Sequence, residues 1–410
     1  MPLLTSSPGV QAETPRSLFP AFGVPNFRRF VAGQSISLIG SWTETVAQAL
    51  LVLQLTNSAA AVGFVTAARY LPVLLLTSYA GLVVDRRDKR GVLVFSASGL
   101  ALLSLLQGVL VLCGAINLAA IVAFALAFGC MSALDNPARQ AFIPEMVGKP
   151  LIRNAVTLNS TAVNVGRAVG PIVAAVLIMK IGIGWCFLVN AVSFAAVLFA
   201  LGTMSVPALY PVEPIKPAKG QLIEGFRYAL TVPTIIGPIA MMALIGTFTY
   251  EFEVTLPLFA HGALHGGPTT YSWLIGAFGL GSVAGGLYCV VRPATGMRRL
   301  YRTAFAYAAA MAAVSVAPSL FATVLLLFVV GIASIIFITT GNATIQLAAA
   351  PEYRGRVTAL WSTAFLGSTP IGASLLGLID TLNPRLGIAA GALACLAAAA
   401  IGRHFAARAT

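Results

Sequence analysis

Charge is what this chain of 410 residues has least of: only 9% of it is Asp, Glu, Lys or Arg, and just 12 residues are acidic. A water-soluble domain carries about 25% charge, so an ordinary globular protein is excluded. Histidine is nearly absent, at three residues. His261 and His265 stand four apart, but Gly262, Gly266, Gly267 and Pro268 argue against a helix that would align them, and no metal site is expected there. His404 belongs to the C-terminal tail. The five cysteines, Cys113, Cys130, Cys186, Cys289 and Cys395, lie singly in apolar runs, which excludes a disulfide framework or a zinc ribbon. A nucleotide-binding loop, a Gly-x-Ser-x-Gly elbow and a His-Glu cluster are all missing. ATP coupling within the chain, a membrane-embedded enzyme and a cofactor are therefore not expected.

What is present is hydrocarbon: 58% of the residues are hydrophobic and the mean hydropathy is +0.91. Crossing about 30 Å of bilayer at 1.5 Å per residue takes about 20 apolar residues. Twelve runs meet that length, at 30–55, 62–84, 91–114, 117–138, 156–180, 184–205, 235–259, 271–291, 301–317, 320–346, 356–380 and 385–402. The expectation is an all-α membrane protein whose twelve helices form two six-helix bundles. Residues 1–25, with Pro2, Pro8, Pro15, Pro20 and Pro25 and no run suited to a secretory signal, read as a flexible tail. The first bundle spans 26–205, a proline-rich polar linker with a short amphipathic stretch 206–232, and the second bundle 233–410.

The basic residues test this count. When connections are numbered alternately, all but four of the 25 basic residues fall on the side of the two termini. Lys180 and Arg385 lie opposite, and Arg69 and Arg167 fall within spans. The positive-inside rule then places both termini in the cytoplasm, and charges distributed in this way point to a bilayer rather than to nucleic acid. The halves also echo one another. Asn136 and Gln140 precede Pro144-Glu145 and Ser160-Thr161-Ala162, as Asn342 and Gln346 precede Pro351-Glu352 and Ser362-Thr363-Ala364. This order favours duplication of a six-helix unit.

Ionisable groups at membrane depth are functional candidates because each costs at least about 2.5 kcal/mol to insert. Glu44, mid-way along the first span beside Thr43, Thr45 and Gln48, is the first choice for binding and releasing a proton. Arg69 and Arg167 could pair with it or bind an anionic part of a substrate; a static buried ion pair is the structural alternative. Glu251 and Glu253 stand two apart in the seventh span. On a continuous helix they point about 200° from each other, so at most one should face a central cavity. In the fifth span, Gly166, Gly170 and Pro171 read as a groove for close helix packing, or as a hinge.

The densest charge is Gly81 to Arg90, GLVVDRRDKR, between two apolar runs. Gly81, Asp85, Arg86, Lys89 and Arg90 resemble the loop signature of the major facilitator superfamily, with Asp88 where that pattern has its second glycine. FRRFVAGQSISLIGSW, DNPARQAFIPEMV and PEYRGRVTALWS are similar to the bacterial drug and siderophore exporter branch that includes the enterobactin exporter. The resemblance covers nearly the whole chain. It implies a monomeric inner-membrane exporter of a small amphipathic molecule, working by proton antiport and alternating access, with a proton-coupled importer of the same fold as the alternative. It also implies that Asp85, Arg86, Lys89, Arg90 and Asp135 brace a cytoplasmic gate, Lys89 or Arg90 reaching Asp135. A loop that merely fixes topology would need no acids.

Overall fold

The computed structural model describes residues 19–210, 221–292, 295–350, 353–366 and 368–408, and these contain helices and no strands. The tail up to residue 18 and residues 211–220 of the linker lie outside them. The first set comprises α1 (Pro25–Thr56), α2 (Ala59–Arg86), α3 (Lys89–Leu112), α4 (Leu118–Val147), α5 (Ile152–Lys180) and α6 (Gly184–Gly202). A short α7 (Gln221–Thr231) leads to α8 (Pro233–Thr249), α9 (Phe252–Leu258), α10 (Pro268–Val291), α11 (Met297–Ser315) and α12 (Leu320–Ala348). The chain closes with α13 (Arg354–Leu366), α14 (Thr369–Leu382) and α15 (Pro384–Arg408).

Among the described residues, eleven helical stretches are long and apolar enough to cross a membrane. α11 is not one of them, because Arg298, Arg299 and Arg302 occupy its first turns. Two stretches are broken. α8 gives way to α9 at Tyr250 and Glu251, and α13 to α14 just before Thr369. Gly372 on α14 lies against Thr247 and Glu251, and Gly246 on α8 against Ala364 and Ser368, so the two breaks sit side by side.

Polar residues set several helix starts by accepting otherwise unpaired backbone N–H groups. Ser58 accepts from Ala61 at the head of α2, Asn117 from Ala120 on α4, and Ser319 from Ala322 on α12. Asp88 does the same for α3, accepting from Arg90 at 3.2 Å and Gly91 at 2.9 Å. Its φ of −61° demands no glycine. The departure from the loop signature thus exchanges a flexible turn for a capped one.

α1 packs on α5 and α6, α2 on α4, and α3 on α4 and α6. Beyond the linker, α10 packs on α12, α11 on α12 and α15, and α8 on α13 and α15. The two sets meet where α2 lies on α14 and α5 on α10. These contacts include the end opposite the termini, termed here the far end. There a Cβ on Gly377 of α14 would stand only 3.0 Å from the Gly63 Cα on α2, and Thr269 on α10 donates to Met179 Sδ on α5 at 3.1 Å. Only glycine permits backbones this close.

At the other, terminal end, the polar contacts among the described residues lie within each set. Lys89 pairs with Glu145 at 2.7 Å, Asn26 and Ser205 exchange hydrogen bonds, and Tyr210 donates its backbone N–H to the Glu145 carbonyl. In the second set, Tyr228 of α7 stacks on Tyr353 at 4.1 Å, and Arg356 pairs with Glu224 at 2.8 Å.

Candidate substrate cavity and its charged groups

A cavity of about 380 Å³ lies between the two helix sets. Toward the terminal end its wall is polar and made by one face of α4: Asp135, Asn136, Arg139 and Gln140. Gln140 is exposed, so the cavity reaches solvent there. At its depth stand Arg69 and Tyr70 from α2, Arg167 from α5, Glu251 from the break between α8 and α9, and Glu253 from the first turn of α9. Trp42, Phe128, Tyr250, Phe252, Phe278 and Phe365 supply aromatic walls.

The two guanidiniums are held by different means. Arg69 is buried, donates to Gln48 Oε1 at 2.9 Å and lies 4.0 Å above the Phe128 ring. Arg167 lies 4.9 Å from the Trp42 ring, and its Nε is buried without a hydrogen-bond partner. Among the described residues no ion pair joins either arginine to an acid. Glu253 accepts from the Tyr70 hydroxyl at 3.2 Å and is within electrostatic range of both arginines. Glu251 is 3% exposed, and its Oε1 has no partner.

The expectation that at most one of Glu251 and Glu253 faces the cavity is overturned: both line it. The 100° per residue behind that expectation holds only along a continuous helix, and the chain leaves helical geometry at Tyr250 and Glu251. Of the two roles open to Arg69 and Arg167, an ion pair with Glu44 is not made among the described residues; Arg69 is within electrostatic range, but the hydrogen-bond partners of Glu44 are neutral. Glu44 is fully buried between α1, α3 and α6, outside the cavity lining, and its Oε2 accepts from Ser104 Oγ at 2.5 Å and Asn190 Nδ2 at 2.6 Å. Gly40, one turn before it, leaves room for Asn190 and Ser193 to approach. Glu44 Oε1 and, one turn along α3 from Ser104, Gln107 Nε2 are buried without partners.

The fifth-span glycines are packed as a groove. Side chains at Gly166 and Gly170 would run into Leu38, Ile39 and Trp42 of α1, and Thr43 donates to the Gly170 carbonyl at 3.0 Å. Pro171 lies inside α5 without ending it.

The loop contacts also differ from expectation. Asp135 pairs with Arg139 one turn along α4 and accepts from Ser96 at 3.0 Å, while Lys89 goes to Glu145. Arg90 donates to the Leu201 carbonyl at 2.8 Å, at the C-terminus of α6. The cause is the length of α4. It passes Pro137 and Pro144 and runs to Val147, nine residues beyond the apolar run that ends at 138. Glu145 therefore stands about 15 Å further along the helix axis than Asp135, level with the start of α3. Arg86 is exposed, Gly81 has open space beside it, and the side chain of Asp85 lies outside the described residues.

Residues 17–410 match the family described as transmembrane secretion effector. The chain belongs to this branch of the major facilitator superfamily. It is 25% identical over 366 residues to the enterobactin exporter EntS of Citrobacter koseri, covering 87% of this chain and 85% of that protein. It is 25% identical over 352 residues to the multidrug efflux pump Tap of Mycolicibacterium fortuitum, covering 82% and 85%. The staphyloferrin A transporter of Staphylococcus aureus is 30% identical over 174 residues, 42% of this chain and 44% of that protein. Among solved structures, a bacterial homologue of the human lysosomal transporter Spinster, in an inward-facing and occupied conformation, aligns with a TM-score of 0.71 at 15% identity, covering 97% and 98%. The nucleoside transporter NupG aligns with a TM-score of 0.68 at 12% identity, covering 93% and 98%. Family and fold are those of multi-pass membrane transporters of small molecules, not of enzymes.

Within this family fold, the sequence reading overlooked three features. Asp135, Asn136, Arg139 and Gln140 repeat at helical spacing and form the polar cavity wall, which their i, i+1, i+4, i+5 pattern announces. Asn190, Glu44's partner, is the lone amide in the sixth apolar run. Asp380 on α14 is 3% exposed, accepts from the Gly387 N–H at 3.1 Å and keeps Oδ2 unpaired. An acid inside an apolar run was signal enough for it.

Proposed function

We propose that this protein is a secondary active exporter that moves a small amphipathic molecule, drug-like or siderophore-like, out across the bacterial inner membrane by proton antiport. One observation carries the reading: the cavity is shared by both helix sets, which touch at the far end, reaches solvent at the terminal end, and holds ionisable groups of both signs at its depth. On this reading α11 is a twelfth crossing, and residues 26–205 and 233–410 form two six-helix bundles that rock about the cavity. Both termini face the cytoplasm by the positive-inside rule, so the cavity is open inward. The protein works as a monomer.

Glu251 and Glu253 in the cavity and Glu44 behind it are the proton carriers, and Arg69 and Arg167 hold cargo. Asp85, Arg86, Lys89, Arg90 and Asp135 form the inner gate. Among the described residues, Lys89, Arg90 and Asp135 bond within the first helix set, as a gate must when the inner mouth is open. Gly166, Gly170 and Pro171 keep α5 close against α1 as the set moves. The test is efflux of a panel of dyes, drugs and siderophores from proteoliposomes under an imposed pH gradient. Export should rise with the inward proton gradient and fail in Glu253→Gln. Uptake along the proton gradient would assign an importer instead.

A further inference from the structure

The depth of the cavity carries more charge than a pathway for a neutral or singly charged drug requires. Two guanidiniums, Arg69 and Arg167, come from the first helix set, and two carboxyl groups, Glu251 and Glu253, from the second. Nearby groups of opposite sign ordinarily collapse into ion pairs, which offsets their desolvation. Here they do not. Arg167 Nε and Glu251 Oε1 are buried with no hydrogen-bond partner, the Glu251 carboxyl having a bond to Thr369 instead, and among the described residues no ion pair joins the arginines to the glutamates. Such unpaired groups are costly unless a ligand completes them. The arginines also lie over the faces of Phe128 and Trp42. With one Arg69 donor on Gln48 and Arg167 Nε free, the planar guanidiniums keep N–H groups that suit a carboxylate or a similarly planar anion.

From this arrangement we infer that the cargo is a zwitterionic amphiphile: a planar anionic group seats against Arg167 and Arg69, a basic amine against Glu251 and Glu253, and an aromatic body between Trp42, Tyr250 and Phe365. The inference rests on the proton-antiport reading for one step. A proton taken up by Glu253 removes a negative charge that holds the amine, and it leaves the guanidiniums less opposed. A cargo bearing only an anion would then bind more tightly, and proton and cargo would travel together. Exchange of proton for cargo requires the amine. The anionic group supplies a second anchor, which separates this cargo from simple lipophilic cations.

The experiment uses full-length protein in lipid nanodiscs and two matched triplets of probes: ciprofloxacin, its methyl ester and its N-acetyl derivative, and 4-phenylphenylalanine with the same two derivatives. Each triplet contains a zwitterion, a cation and an anion on one aromatic body. Equilibrium binding should favour the zwitterion by about tenfold or more in at least one triplet, the equivalent of one charge-assisted hydrogen bond. Arg167→Gln should weaken the zwitterion and the N-acetyl compound but not the ester. Glu253→Gln, which keeps a partner for Tyr70, should weaken the zwitterion and the ester but not the N-acetyl compound. Arg167→Lys preserves the charge without the planar fork and should recover only part of the loss. Esters or N-acetyl compounds binding as well as the zwitterions overturns the inference, and so does absence of binding by both triplets at millimolar concentration. Probes moved by a pH gradient in proteoliposomes without charge preference would remove this cargo class and leave the exporter standing. The crossed binding pattern without gradient-driven movement would do the reverse.

Discussion

The hydroxyl of Tyr70 on α2 donates to Glu253 Oε1 on α9 at 3.2 Å, joining residues 183 positions apart and from different helix sets. Hydrogen bonds to a charged partner are worth about 1.5–3 kcal/mol. A tie of that size weights the state in which the two sets converge on the cavity floor. Tyr70→Phe is expected to slow gradient-driven efflux about tenfold while expression and thermal stability in detergent stay near those of the parent. Wild-type efflux in this variant would show that the bond plays no part in the cycle.

Glu44 makes a different kind of demand, because its hydrogen-bond partners are neutral and its place is behind the cavity wall. Glu44→Gln keeps an oxygen for Ser104 and Asn190, so the fold should persist while any proton coupling through this residue disappears. Glu44→Leu takes the acceptor from the buried Ser104 hydroxyl and leaves Asn190 Nδ2 only its bond to Ser104 Oγ at 3.2 Å, at a cost of about 1–3 kcal/mol. It should lower Tm clearly below that of the Gln variant. Efflux and pH response unchanged in Glu44→Gln, with only the Leu variant unstable, would make Glu44 a packing group.

Much of the fold is legible from arithmetic. Eleven of the crossings follow from the length and apolarity of their runs, and the start of α2 at Ser58 and of α12 at Ser319 follows from side chains able to cap. The cavity was less legible, for reasons that can be named. Sequence spacing converts to direction only where a helix is unbroken, so the interruption at Glu251 hid the shared outlook of Glu251 and Glu253. It converts to depth only where helix ends are known, so the extension of α4 past Pro144 moved Lys89 from Asp135 to Glu145. Glu44's partners lie 60 and 146 residues away, and no local pattern contains them.

Lys89 and Glu145 are largely shielded, with side-chain exposures of 13% and 12%. Each single charge reversal should reduce efflux several-fold, whereas the double exchange Lys89→Glu with Glu145→Lys should restore most of it. A pair of this kind is worth up to about 1 kcal/mol when exposed and more when shielded. If the double variant is no better than the worse single one, the residues act separately.

Gly377 meets Gly63 at the far end, where the two sets close on each other and a side chain has no space. Gly377→Val should force α14 off α2 and populate the opposite state. A single cysteine placed at Ala373 should then react with a membrane-impermeant maleimide added from outside, several-fold faster than in the Gly377 parent. Equal labelling would mean that the seal is set elsewhere.

The paired interruptions of α8–α9 and α13–α14 give the second helix set a knee that the first set lacks. A continuous helix transmits rotation along its whole length, while a jointed one lets its outer segment lag behind its inner one. The far-end pieces α9 and α14 can therefore peel from α2 one after the other, with the arginine-bearing wall kept stiff. Side chains at the knee, Ser368 and Thr369 foremost, should set turnover speed rather than cargo choice. Variation there offers a way to tune the transporter's tempo while leaving its selectivity alone.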